Sequence, residues 1–171
     1  GAESKMPISG TIIVDSPVQD PDDTPLPEPA TSNRTAPPTY PDKASALARF
    51  RLMPEQPCDN KYITDFIAQT SIQECNSGWT WKFDFKIMSS RRFGEPYRDE
   101  LKALKGRTAL IHGEKSAIVS RRTVSYMSEL MGPTAPVVEI PEAHHHVMLD
   151  QPLAFVSALR AILDAWSRRT E

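Results

Sequence analysis

The stretch Arg107 to Pro141, "RTALIHGEKSAIVSRRTVSYMSELMGPTAPVVEIP", decides the fold. "RTALIHGE" is a compact apolar run ending at Gly113, too short for a helix and apolar on consecutive positions, so it reads as a strand buried on both faces. "SRRTVSYMSELMG" has helical periodicity, with Ser120 as the capping residue and Gly132 as the stop. "APVVEIP" is a second strand. The long closing helix "QPLAFVSALRAILDAWSRR" carries Leu153, Phe155, Val156, Leu159, Ile162, Leu163 and Trp166 on its apolar face. Strand, helix, strand, helix with short connections predicts parallel strands flanked by helices, joined by right-handed crossovers.

Towards the N-terminus, Thr11-Ile12-Ile13-Val14 between Gly10 and Pro17 repeats the signature of a buried strand. Half of the chain's prolines then fall between Pro17 and Pro41, which predicts a long loop over 19–41. Asp42 caps "KASALARF", and Asp59 caps a second helix over "NKYITDFIAQTSIQE" that Asn76-Ser77-Gly78 stops. The aromatic alternation of "WTWKFDFKI" predicts an extended or irregular segment from Trp79 to Phe85. Glu95 to Leu104 reads as helical, with Pro96 in its first turn. The expected organisation is a core helix end and strand over 1–18, the proline-rich loop over 19–41, a helical insertion over 42–105, and core strands and helices over 106–171.

Composition narrows the function classes. The chain has 171 residues, a formal net charge of −2 and 25% charged residues, with no basic stripe, which argues against a nucleic-acid partner. No apolar run approaches the ~20 residues of a membrane span. Cys58 and Cys75 fit neither a disulfide framework nor a zinc motif, so a reducing, cytoplasmic setting is expected. The sequon Asn33-Arg34-Thr35 carries little weight without an export signal.

In open parallel sheets, chemistry gathers beyond the carboxyl ends of the strands. Those positions hold Asp15, then His112, Gly113, Glu114 and Ser116, then the loop "EAHHHVMLDQP" with three of the chain's four histidines. Consecutive histidines point in different directions, helical zinc pairs use i, i+4 spacing, and no cysteine or second histidine pair lies near in sequence. Neither a metal nor a cofactor is expected. His112 reads as a buried strand residue, and a lone loop histidine is ordinarily a surface residue.

The flanking residues change that reading for one of them. "VDSPV", "RFRLMPEQP", "WTWKFD", "LIHGEKSAIVS" and "IPEAHHHVMLDQPLAFVSALRAIL" together resemble the later part of an α/β-hydrolase, over about Ile8 to Trp166. In that family a histidine follows the last strand within P-x-A-G-H-x-x-x-L-[DE]-x-P. Pro141, Ala143, Leu149, Asp150 and Pro152 match, and the histidine position falls on His145, although His144 stands where glycine is usual. The resemblance implies a partial α/β-hydrolase fold with a helical cap over 42–105, and His145 as the general base. The acid usual at G-x-x-D is Ser116 here, which cannot hold an imidazolium by charge, so the resemblance shifts the role to Asp15, with Glu114 as the fallback. Asp15 before Ser-Pro could also simply turn the chain. Trp79, Trp81 and Phe83 read first as packing residues of the cap, and second as walls of an apolar substrate pocket.

The nucleophile elbow G-x-S-x-G occurs nowhere in the chain. By resemblance it would precede "VDSP" by about two dozen residues, which makes "GAESKM" look like the tail of the helix after it. Two functions are therefore expected. One is the C-terminal portion of a hydrolase acting on a small apolar ester or similar small molecule. The other is an inactive, truncated domain serving as a binding or interaction module, or a non-functional fragment. No membrane partner is expected, and an exposed sheet edge would permit a homo-oligomer.

Overall fold

A computed structural model describes residues 8–23, 36–84 and 97–168. The expectations for "GAESKM", most of the proline-rich loop, the sequon, Phe85 and Pro96 lie outside them. The described residues form two units, each with its own packing: residues 8–23 with 97–168, and residues 36–84.

The first unit is built on a three-stranded parallel sheet. Its strands are β1 (Gly10–Val14), β5 (Arg107–Gly113) and β6 (Val137–Ile140), in the order β1-β5-β6. Ile12 pairs with Ala109 and Val14 with Ile111 on one side of β5, and Ile111 pairs with Val138 on the other. The alternation along β5 separates two apolar layers. Ala109 and Ile111 face one layer with Ile140, Ala143, Val147 and Ile162, the last on helix α6 (Pro152–Arg168). Leu110 faces the other with Val18, Met127 of helix α4 (Arg121–Met131) and Leu101 of helix α3 (Arg98–Lys102). Helices thus cover both faces of a sheet whose middle strand is fully buried from Ala109 to Ile111.

Helix α4 begins and ends as its local sequence dictates. Ser120 accepts the N–H of Thr123 at 3.0 Å, and Gly132, at φ +88°, ends the helix. The segment after β1 is fastened to this helix start. Arg122 Nε reaches Asp20 at 2.7 Å, while the hydroxyls of Ser120 and Thr123 donate to Asp23. The hydrogen bond from Arg122 holds the Asp20 carboxyl below its ordinary range. Ser120→Ala removes the cap and one tether, and should lower stability by about 1–2 kcal/mol, read from the urea midpoint at unchanged slope.

The second unit contains helices α1 (Lys43–Leu47) and α2 (Lys61–Thr70) beside an antiparallel sheet of order β2-β4-β3. Its strands are β2 (Thr39–Tyr40), β3 (Ile72–Cys75) and β4 (Gly78–Trp81). Asp42 caps α1 as expected, its carboxylate accepting the Ser45 N–H at 2.7 Å. The second helix departs from expectation at both ends. Its N-cap is Asn60 rather than Asp59, and it stops at Thr70 instead of running to Glu74. Ile72–Cys75 instead pairs with Gly78–Trp81 in a tight hairpin. Gly78 makes that turn possible with φ +122°, and a Cβ there would run into the Tyr40 carbonyl.

The expected limits of the insertion, 42–105, shift for related reasons. β2 pairs with β4 and so draws residues 39–40 into the second unit. Helix α3 was expected within the insertion, yet Leu101 is buried beside Leu110 and Met127 in the first. The aromatic stretch expected to be extended or irregular from Trp79 supplies part of a strand of a small sheet, so the unit is mixed rather than purely helical.

Candidate active site

β1 ends by delivering Asp15 into a fully buried position at φ +43°, a left-handed conformation that Asp tolerates better than most residues. Its N–H donates to Ile111 O at 2.8 Å, continuing the strand pairing by one residue. Backbone strain of this kind gathers where surrounding contacts over-determine a functional geometry.

Each oxygen of the Asp15 carboxylate is engaged. Oδ1 accepts the Gly113 N–H at 2.8 Å, from the end of the neighbouring strand. Oδ2 accepts the Ser116 hydroxyl at 2.7 Å and faces His145 Nδ1 at 2.9 Å. A carboxylate can only accept, so the His145 nitrogen facing it carries the proton, and the lone pair of the neutral ring lies on Nε2. The His145 side chain is 23% exposed while Asp15 is sealed at 0%, so the contact is buried on the carboxylate's side.

The loop that carries His145 is held from both sides. Glu142, at φ +61°, donates its N–H to Glu114 Oε2 at 2.8 Å, and its carboxylate pairs with Lys115. Lys115 N donates to Ala143 O at 2.8 Å. Ala143 and Val147 are fully buried in the sheet core. Asp150, at the end of the single helical turn α5 (Val147–Asp150), accepts the His144 N–H at 2.7 Å and faces His144 Nδ1 at 3.1 Å. His144 and His145 therefore direct their Nδ1 atoms at different carboxylates, and the His145 and His146 rings lie 4.7 Å apart, tilted by 55°. Among the described residues no group of three His, Cys, Asp or Glu side chains converges as a metal-binding set.

The structure thus brings Asp15 and His145 together. Glu114, the fallback acid, is exposed and spends an oxygen on the Glu142 backbone, pinning the histidine loop. His112 is buried within β5, its Nδ1 3.4 Å from Gly113 O. Trp79, Trp81 and Phe83 belong to the second unit. There Trp81 packs edge-on to Tyr40 and tilted against Phe50, each at 6.2 Å, Lys43 lies over the Trp79 ring, and Phe83 is half exposed. An open cleft of about 360 Å³ in that unit is lined by other residues, among them Phe50, Cys58, Lys61 and Asp65. Two participants escaped the sequence reading: the Gly113 N–H and the Ser116 hydroxyl, both on the carboxylate. The sequence marks Ser116 by its position, where a hydrolase of the usual pattern keeps its acid, but not as a donor to Asp15.

No family model and no curated protein sequence matches the chain. Solved structures do resemble it. E-2-(acetamidomethylene)succinate hydrolase superposes with a TM-score of 0.68 at 19% identity, over 92% of this chain and 58% of its own. A peroxisomal α/β-hydrolase of Saccharomyces cerevisiae gives 0.66 at 13%, over 94% and 48%. The thioesterase domain from the curacin biosynthetic pathway gives 0.62 at 21%, over 88% and 57%. The fold is therefore part of the α/β-hydrolase fold: parallel strands flanked by helices, with an inserted unit. The chain spans roughly half to three-fifths of the length of these structures.

Proposed function

We propose that these residues supply the acid and the base of an α/β-hydrolase acting on a small apolar ester or similar carbonyl substrate. The observation that carries this reading is the 2.9 Å contact between His145 Nδ1 and the buried Asp15 carboxylate, across 130 positions of sequence. In it, a serine outside the 171 residues attacks the substrate carbonyl and His145 Nε2 takes its proton. Asp15 holds the ring in that tautomer and stabilises the imidazolium that forms. His145 then returns the proton to the leaving alkoxide, and water repeats the cycle on the acyl intermediate. No G-x-S-x-G lies in the chain, so the chain alone has no triad-dependent activity. Cys58 and Cys75, which form no disulfide among the described residues, suit a reducing compartment such as the cytoplasm.

The test is hydrolysis of a short-chain nitrophenyl ester by the product of the full reading frame and by its His145→Ala variant. Loss of turnover on the order of 10³-fold or more is expected in the variant. An unchanged rate would sink the reading. Hydrolysis by the 171-residue chain alone that depends on His145 would show that the nucleophile lies within it. A full-length product with no activity and no nucleophile would instead favour a binding module on a hydrolase scaffold.

A further inference from the structure

We infer that Ser116 is a positioning residue that locks the Asp15 carboxylate through a single committed proton. The inference rests on the reading of Asp15 and His145 as acid and base. Ser116 Oγ accepts two backbone N–H groups, from Ile118 at 3.2 Å and Val119 at 3.1 Å. A serine hydroxyl has two acceptor lone pairs and one proton, so both lone pairs are occupied and only the proton remains to be directed. It points at Asp15 Oδ2 at 2.7 Å, the same oxygen that faces His145 Nδ1.

The geometry matters because a carboxylate held at one oxygen alone can still swing about its terminal torsion, which is broad for Asp. Gly113 N–H fixes Oδ1, and Ser116 fixes Oδ2 from outside the contact with His145. A hydroxyl with a free lone pair could reverse its bond, donate elsewhere and accept from the imidazole. Here the Ile118 and Val119 amides remove that option. The residue that has lost the acid's charge thus orients the acid that replaced it.

The test uses ¹⁵N-imidazole spectra of the product of the full reading frame, which report the tautomer of neutral His145 and the solvent exchange of its Nδ1 proton. Ser116→Thr keeps the hydroxyl, and Ser116→Val is nearly isosteric with that Thr variant but lacks the hydroxyl. The Thr variant should match the unmodified chain, whereas the Val variant should exchange that proton about tenfold faster and lose part of the Nδ1–H tautomer. Asp15→Asn should abolish the signature altogether. Val and Thr variants agreeing within about twofold, with Asp15→Asn still abolishing the signature, would overturn the role of Ser116 and leave the acid–base pair standing. An unchanged signature in Asp15→Asn would overturn both. Backbone amide spectra check the fold, and Ser116→Ala carries the same comparison if the Val side chain is not accommodated.

Discussion

Asp15→Asn should leave the strand end nearly in place and invert the histidine it serves. Asn tolerates the left-handed backbone that Asp15 adopts at φ +43°, so the substitution adds little conformational penalty. The amide brings one acceptor and one NH₂ donor to a cage of three donors: Gly113 N–H, the Ser116 hydroxyl and His145 Nδ1–H. Whichever way it turns, a donor meets a donor in a fully buried site. Leaving such groups unsatisfied costs about 1–3 kcal/mol each, so a loss of about 2–4 kcal/mol in unfolding free energy is expected from urea titration. If the amide NH₂ faces the ring, the His145 proton moves to Nε2, where the lone pair of a base would have to be. In a full-length enzyme built on this pair, kcat should fall on the order of 10⁴-fold, with KM little changed. A variant as active and as stable as the parent would mean that the contact has no energetic weight.

The second large effect is expected from one methyl group at Gly113. This residue ends β5, donates its N–H to Asp15, and lies under the histidine loop. A Cβ there would stand 2.5 Å from the His144 carbonyl oxygen and 2.9 Å from the Ala143 carbonyl carbon, and closer still to the Ala143 oxygen. These are backbone atoms in a segment anchored by the fully buried Ala143 and Val147, so no side chain can swing aside. The loop must lift, taking His145 away from Asp15. Gly113→Ala should therefore cost about 2–4 kcal/mol, as overpacking of a tight core does at its upper range, and abolish the Nδ1–H signature of His145. Gly132→Ala is the contrast: its Cβ would meet nothing within 4 Å, so only the backbone strain of φ +88° and ψ 168° remains, about 1–3 kcal/mol, and the Nδ1–H signature of His145 should persist. Retention of that signature in Gly113→Ala would refute the steric argument at Gly113.

The parts of the fold that the sequence disclosed are those whose cause is local. β5 is legible because an apolar run of strand length leads to a glycine. α4 is legible because Ser120 and Gly132 bracket a helical period, and both residues act as that pattern implies. The end of α2 was not legible. Thr70 to Glu74 continues a helical rhythm, but Ile72–Cys75 gains a ladder with Gly78–Trp81 that no local preference records. Helix α3 shows the same limit at the level of packing. Its sequence marks a short helix, while the unit it joins depends on Leu110 and Met127 lying opposite Leu101.

For the candidate site, the sequence by itself determined which side chains stand at strand ends: Asp15, Glu114, Ser116 and His145. Motif register singled out His145 among three neighbours, since the spacing of Pro141, Ala143, Leu149, Asp150 and Pro152 is a property of the chain alone. Only the tertiary structure decided which carboxylate reaches the imidazole, because residues 130 positions apart meet through the parallel registry of β1 with β5 and of β5 with β6. It also turned Ser116 from a missing acid into a donor on the acid's own oxygen, and Glu114 from a rival acid into a tether for the histidine loop. A hydrogen bond requires an approach to about 3 Å, and only folding sets distances of that kind between segments that far apart in the chain.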